Sequence, residues 1–468
     1  MINSKSSRKF VTFLLIYSLI LFLGCITFAC QKEPSNSVVK SPPESAVLNI
    51  WWDKGYILEE DEALQQVIEN WQKKTGYQAE ISFYNADEIA QKANRADHAG
   101  KPPDILFSSR AEYPLLAWEG KLGDVSEVIE PVEDLYAPVA LEAAYLYNKV
   151  EDKRSYYTVP LHQATIHIFY WQDLLAEAGF KPQDIPQTWN NFWAFWTQVQ
   201  DKLRDLSEDK YQDIYGLGLP ISVAASDTYY LFEQILEAYD LKIMNESGEL
   251  LVNQPEVRQG ITNILKWYVQ FYQQGYIPPQ ALQWLDPDNN RNFLNRVVVM
   301  TPNPTLSIPV ALRQDRETYV NKIGILEFPL QPNGKAISHI TAVRQAFIFA
   351  KGKNQKLAKD FLSYLIQPET IEEYLQASGG RYLPVMAAAR QDPFWQDPQD
   401  PHISGAAKTI LTGKTHLLNS ARNPAYSALV NENVWGVALK RILVDGVSIE
   451  EATKEAIARI EEIFQAWQ

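Results

Sequence analysis

The residue types that perform covalent chemistry are present, but not at the spacings such chemistry needs. A serine hydrolase built on a strand-to-helix elbow wants G-x-S-x-G, and no such run occurs. His162 and His167 stand five apart, which on an extended strand turns them to opposite faces. His98, His339, His402 and His416 are scattered and HExxH is absent, so no metal or cofactor is expected. Asp286-x-Asp288-x-Asn290 begins like a calcium loop. It has Arg291 where the sixth-position glycine belongs and Val297 where the twelfth-position acid chelates, so a helix-capping turn fits better. Gly379-Gly380 follows a helical stretch as a C-cap would. Neither a Walker A nor a dinucleotide fingerprint occurs. Paired carboxylates stay open, because a glycosidase needs only two acids across a cleft. With 57 Asp and Glu in the chain, sequence does not say which face each other.

Composition narrows the partners. A formal net charge of −14 argues against nucleic acid or an anionic lipid surface. Thirteen Trp and 24 Tyr supply rings of the kind that binding surfaces use, although for any single ring the core is the ordinary place. Cys25 and Cys30 are the only cysteines, so the body beyond them has no disulfide, thiolate metal site or catalytic thiol. It must hold together by burial, and 468 residues leave room for two domains.

Lys5, Arg8 and Lys9 precede a charge-free run from Phe10 to Phe28, the layout of a secretory signal. The run leads to Leu23-Gly24-Cys25 and Phe28-Ala29-Cys30. A small residue directly before such a Cys resembles the bacterial lipoprotein box, which implies that the Cys becomes the acylated first residue of a tethered protein. Cys30 is preferred to Cys25, because the apolar run reaches it and Gln31-Lys32-Glu33-Pro34 turns polar at once. An uncleaved transmembrane anchor is the alternative, since about 19 apolar residues can just span a bilayer. Either reading puts the body outside the cytoplasm. Residues 1–30 are then the lipoprotein signal, and residues 31–46, rich in Ser and Pro, a flexible spacer.

The elements that must position a site follow an α/β rhythm. Val47 to Trp52, Gln78 to Tyr84 and Pro103 to Phe107 read as strands, and Glu59 to Thr75 and Ala86 to Ala99 as helices. That order implies a mostly parallel sheet with ligand sites at the carboxyl ends of its strands. Those ends carry Trp52-Asp53-Lys54-Gly55, Asn85 and Ser108-Ser109-Arg110. Helices are expected over Trp189–Leu206, Tyr229–Leu241, Pro255–Tyr272 and Asp286–Asn295. Strands are expected over Ile166–Trp171, Tyr215–Leu219, Val297–Met300, Lys322–Phe328 and Ala346–Ala350. Further helices follow over Lys356–Ile366, Pro368–Ser378, Pro424–Leu443 and Ile449–Trp467.

Seven segments in order resemble the carbohydrate group of extracellular solute-binding proteins of ABC importers, the group that includes maltose-binding protein. They are LNIWWDKGY, GKPPDILFSSR, WEGKLGDVSEVI, YTVPLHQATIHIFYWQDLLAEAGF, PQTWNNFW, NFLNRVVVMTPNP, and the run from Ala346 to Val385. One departure is Asn295-Arg296-Val297-Val298-Val299-Met300, where the family has Gly and Ala before the Met. The resemblance implies a two-lobed periplasmic-binding-protein fold of type II with three hinge crossings, each lobe a mostly parallel sheet flanked by helices. Lobe I is expected over residues 46–162 and 303–350, and lobe II over 166–300 and 352–468.

The function so implied is non-enzymatic. A sugar or sugar-like solute is captured between the lobes, hinge closure follows, and the solute passes to permease subunits. The protein is expected to be a membrane-anchored monomer. Ring stacking and hydrogen bonds to hydroxyls would hold the sugar. The implied ligand residues are Trp52 and Asp53 in the first loop, Ser108 and Arg110 after the third strand, and His162 and Gln163 at the first crossing. Trp284 and Asp286 precede the return strand, and Asn303 marks the second crossing. Arg344, Arg381 and Trp435 complete the set. A non-sugar solute (polyamine, amino acid or sugar phosphate) and an exported glycoside hydrolase are the alternatives.

Overall fold

Burial pattern and glycine placement explain the first elements. In a computed structural model that describes residues 46–109, 113–206, 209–245, 248–419 and 423–467, strand β1 (Val47–Asp53) buries alternate side chains, Leu48, Ile50 and Trp52. It pairs in parallel with β2 (Gln78–Tyr84) along its whole length and with β3 (Ile105–Phe107) on its other side. Helix Leu58–Thr75 covers this sheet with Leu64, Val67, Ile68 and Trp71. It stops at Gly76, whose φ of 77° is the left-handed cap that only glycine takes without strain. The proposed signal, spacer and acylated cysteine lie outside the described residues, within which no helix is long and apolar enough to cross a membrane.

The first sheet is completed by β6 (Val159–Thr165), β11 (His339–Phe347), the two-residue β12 (Leu383–Pro384) and β13 (Thr415–Leu417), in the order β12-β6-β11-β3-β1-β2 with β13 joined to β11. The second sheet runs β10-β7-β9-β8, from β7 (His167–Trp171), β8 (Tyr215–Leu217), β9 (Val298–Asn303) and β10 (Ile323–Leu326). Only Ile166 separates β6 from β7, and just past it His167 pairs with Asn303. The two-lobed α/β architecture is therefore the expected one, with one correction: the sheets are mixed, not mostly parallel. β11 runs antiparallel to β3 and β6, and β7 antiparallel to both its neighbours. Strands that arrive from the other lobe enter in the reverse direction.

The expected lobe boundaries also need redrawing. Within residues 303–350, β10 belongs to the second sheet and only β11 joins the first. Residues 352–385, expected in lobe II, pack on the first sheet's side. The Trp71 indole donates to Asp360 at 2.9 Å and meets Phe361 edge-on, and β12 pairs with β6. The Trp71–Asp360 bond satisfies a buried N–H that would otherwise cost about 1–3 kcal/mol.

Most of the aromatic wealth is core. Helix Trp189–Asp205 buries Trp189, Phe192, Trp193, Phe195 and Trp196. Its carbonyl at Trp196 lies so near Gly216 of β8 that a Cβ there would fall 2.3 Å from it, so the close approach requires glycine. The stretch read as one helix over 424–443 is two, Pro424–Glu432 and Val434–Leu443. They are broken at Asn433, which sits at φ 46° with its amide Nδ2 directed to the carbonyls of Ser222, Val223 and Ala225.

Candidate functional site

The carboxyl ends of β1 and β3 and the middle of β11 bring three residues together. Asp53, last of β1, accepts the Ser109 N–H at 2.5 Å, and the Ser109 carbonyl accepts from Arg344 Nη1 at 2.5 Å. Beneath them, His162 of β6 lies between Phe107 at 5.4 Å and Tyr382, which stacks on it at 3.8 Å. Arg381 Nη1 donates to both oxygens of Glu60, at 3.0 and 2.8 Å, and its guanidinium lies 4.7 Å from the Tyr382 ring and 5.3 Å from Tyr56.

Electrostatics follow from that crowding. Burial pushes the Asp53 carboxyl upward, opposed by its bonds from Ser109 and by Arg344 and Arg381. Glu60 is likewise raised by burial and pulled back by Arg381. His162 is held well below the usual imidazole range by burial, with both arginines acting in the same direction, so it is neutral at pH 7. Several polar atoms of this floor are buried with no protein partner: Asp53 Oδ1, both His162 ring nitrogens, Arg344 Nε and Arg381 Nε. Native interiors rarely leave so many such atoms together outside a binding site.

The facing wall comes from the second sheet. The Ser226 hydroxyl and the Asp227 N–H, at the start of helix Ser226–Ala238, donate to the Asp286 carboxylate at 2.9 and 3.3 Å. The Asn289 amide donates to Asp227 and to the Pro302 carbonyl. Asn303, last of β9, donates to Asn290 Oδ1 and Ser307 Oγ, and its own carbonyl oxygen accepts from Thr305 N–H. Between floor and wall lies a cleft of about 1390 Å³, open to solvent. Tyr56, Ser109, Arg344, Arg381 and Tyr382 line one side, and Ser226, Asp227, Asp286, Asn290 and Asn303 the other. Such a cleft can grip a compact polar molecule by ring faces and fixed hydrogen-bonding groups. Among the described residues no group of three metal-ligating side chains gathers.

The sequence-derived candidates divide accordingly. Arg344, Arg381, Asp286 and Asn303 line the cleft, and Asp53, Trp52 and His162 line a recess of about 430 Å³ that shares Ser109, Arg381 and Tyr382 with it. Ser108 is fully buried and its carbonyl accepts the Tyr113 hydroxyl, so the neighbouring Ser109 faces the cleft instead. Gln163 is buried and donates to the Pro384 carbonyl, holding β12 in place. Trp284 and Trp435, two of the three candidate tryptophans, are core residues. Trp284 is only 3% exposed, and Trp435 is fully buried against Phe232 with its indole N–H donated to Glu233. Arg110 lies outside the described residues. The ring faces that do reach the cleft, Tyr56 and Tyr382, were missed, although Tyr56 ends the LNIWWDKGY run and Tyr382 adjoins Arg381.

Comparison with known proteins agrees with this geometry. The family model for bacterial extracellular solute-binding proteins matches residues 66–404. A galactooligosaccharide-binding protein of Bacillus subtilis (strain 168) is 20% identical over 395 residues, 83% of each chain. An ABC transporter solute-binding protein of Thermotoga lettingae TMO, solved with alpha-D-tagatose, superposes with a TM-score of 0.74 at 20% identity. The match covers 90% of this chain and all of that one. Maltose-bound MalE3 of T. maritima gives a TM-score of 0.71 at 17% identity over 89% of this chain and all of that one.

Proposed function

The chain belongs to the bacterial extracellular solute-binding proteins, and we propose that within that family it captures a sugar or sugar-like solute and delivers it to the permease of an ABC importer. The observation that carries this reading is the floor of the cleft. Asp53, His162, Arg344 and Arg381 hold buried polar atoms without protein partners, near the ring faces of Tyr56 and Tyr382. Ring faces next to fixed donors and acceptors suit a hydroxyl-rich ring. Hydrolysis is disfavoured by how three acids of the cleft and its recess are engaged. Asp286 binds the start of the Ser226 helix, Glu60 binds Arg381, and Asp53 binds Ser109. Such ties oppose the free acid and base that a glycosidase sets across its substrate.

The proposed site keeps Asp53, His162, Arg344, Arg381, Asp286 and Asn303 of the earlier set and adds Ser109, Tyr56 and Tyr382. We further propose a monomer tethered through acylated Cys30, and substitution of Cys30, but not of Cys25, is expected to release it from membrane fractions. A thermal-shift panel tests the ligand class, because a ligand of the folded state at free concentration L adds RT ln(1 + L/Kd) to its stability and so raises the midpoint. A neutral mono- or oligosaccharide is expected to raise it. If only amino acids, polyamines or sugar phosphates do so, the carbohydrate reading fails and the non-sugar alternative replaces it.

A further inference from the structure

Beyond Arg344 the cleft continues into a second chamber of about 850 Å³, entered past Ser109, Ser226 and Arg344, which line both spaces. The two differ in chemistry. Val223, Val343, Leu418 and Val430 form much of the chamber wall. Of the polar side chains among its lining, Asn433, Tyr113 and Gln345 are engaged by the protein itself. Asn433 directs its amide to three carbonyls and accepts from Gly436 N–H. Tyr113 donates to the Ser108 carbonyl at 2.6 Å, and Gln345 accepts from Thr158 and donates to the Ala143 carbonyl. Arg344, at the mouth, is the one chamber-lining residue among those described that keeps a buried unpartnered side-chain atom. Along the wall of Val223, Val343, Leu418 and Val430 a sugar hydroxyl would leave water and find few partners, which is costly. An apolar group would exchange water for carbon at a gain.

We propose that the solute carries an apolar substituent (aryl, alkyl or acyl) and that this chamber seats it while the sugar occupies the main cleft. The proposal rests on the carbohydrate reading above. The test is calorimetric titration of the full chain in lipid nanodiscs with methyl and phenyl glycosides of glucose and galactose, both anomers. The phenyl glycoside of whichever sugar binds is expected to bind roughly tenfold tighter than its methyl counterpart, or more. Val223→Phe and Val430→Phe, made separately, should each erase that gain while the methyl glycoside keeps its wild-type affinity, which also reports that the variants fold. Equal or weaker binding of the phenyl glycoside, or a gain that survives both substitutions, overturns the proposal and leaves the carbohydrate reading standing. If no glycoside or free sugar binds at all, the carbohydrate reading itself fails and takes the proposal with it.

Discussion

The two sides of the cleft are built on opposite principles. The floor gathers charges, Asp53, Glu60, Arg344 and Arg381, and leaves polar atoms among them unpartnered. The wall gathers neutral amides and hydroxyls, Ser226, Asn289, Asn290, Asn303 and Ser307, and knits them to one another and to Asp227 and Asp286. The difference separates two tasks. Unpartnered buried groups cost stability until something meets them, so the floor is where a solute is expected to gain most of its binding energy. A cross-bonded wall costs little in either state and fixes shape.

Breaking the floor's ion pair should have the largest effect. Glu60→Ala leaves the Arg381 guanidinium, 16% exposed, without its carboxylate, and about 3 kcal/mol of stability is expected to vanish in urea denaturation. Arg344→Ala comes next: solute affinity should fall about a hundredfold by calorimetry with only a small change in melting temperature. The wall responds the other way. Asn303→Ala should cost about 1–2 kcal/mol of stability while affinity falls by less than about tenfold, since its amide serves Asn290 and Ser307.

The smallest effect lies behind the wall. Glu233, on the buried face of the Ser226 helix, is pushed up to about 7 by burial, against the bond from Trp435. Its folded pKa exceeds the ordinary carboxylate value of 4.5, so the folded state holds the proton more tightly. The stability it contributes is fully present below about pH 4.5 and is lost as pH rises towards 7. Glu233→Gln should flatten that part of a pH–melting profile, and an unchanged profile would place the proton elsewhere.

Local signals were legible where one segment decides its own fate. The strand–helix run from Val47 to Phe107 follows its alternation and the stop at Gly76. The break at Asn433 was not legible, because it depends on carbonyls more than 200 residues earlier in the chain. Hairpin β4–β5 (Tyr145–Asn148 with Lys153–Tyr156) escaped notice because its turn holds no glycine, Asp152 taking the left-handed conformation instead. So did helix Pro401–Thr412, despite Asp400 capping it ahead of a proline. At the site, strand ends led to Asp53, which lines the recess, but ring type misled. Trp284 and Trp435 are large enough to be valued more highly in the core, whereas a tyrosine can lay its face on the cleft and keep its hydroxyl hydrated. Arg344 and Arg381 stood among the implied ligand residues with nothing local to join them, and only the fold reveals that β11 and the segment before β12 converge on Asp53.

The single residue between β6 and β7 has an evolutionary consequence. Ile166 is buried and does not line the cleft, yet the chain passes from one sheet to the other through it. If f is the fraction of molecules in the competent arrangement, the apparent Kd is the intrinsic Kd divided by f. A change at this joint that alters f rescales the affinity for every solute by the same factor and leaves their order untouched. Selectivity and strength of capture are thereby inherited at different addresses in the chain, and a lineage can retune one to the abundance of its food without relearning the other.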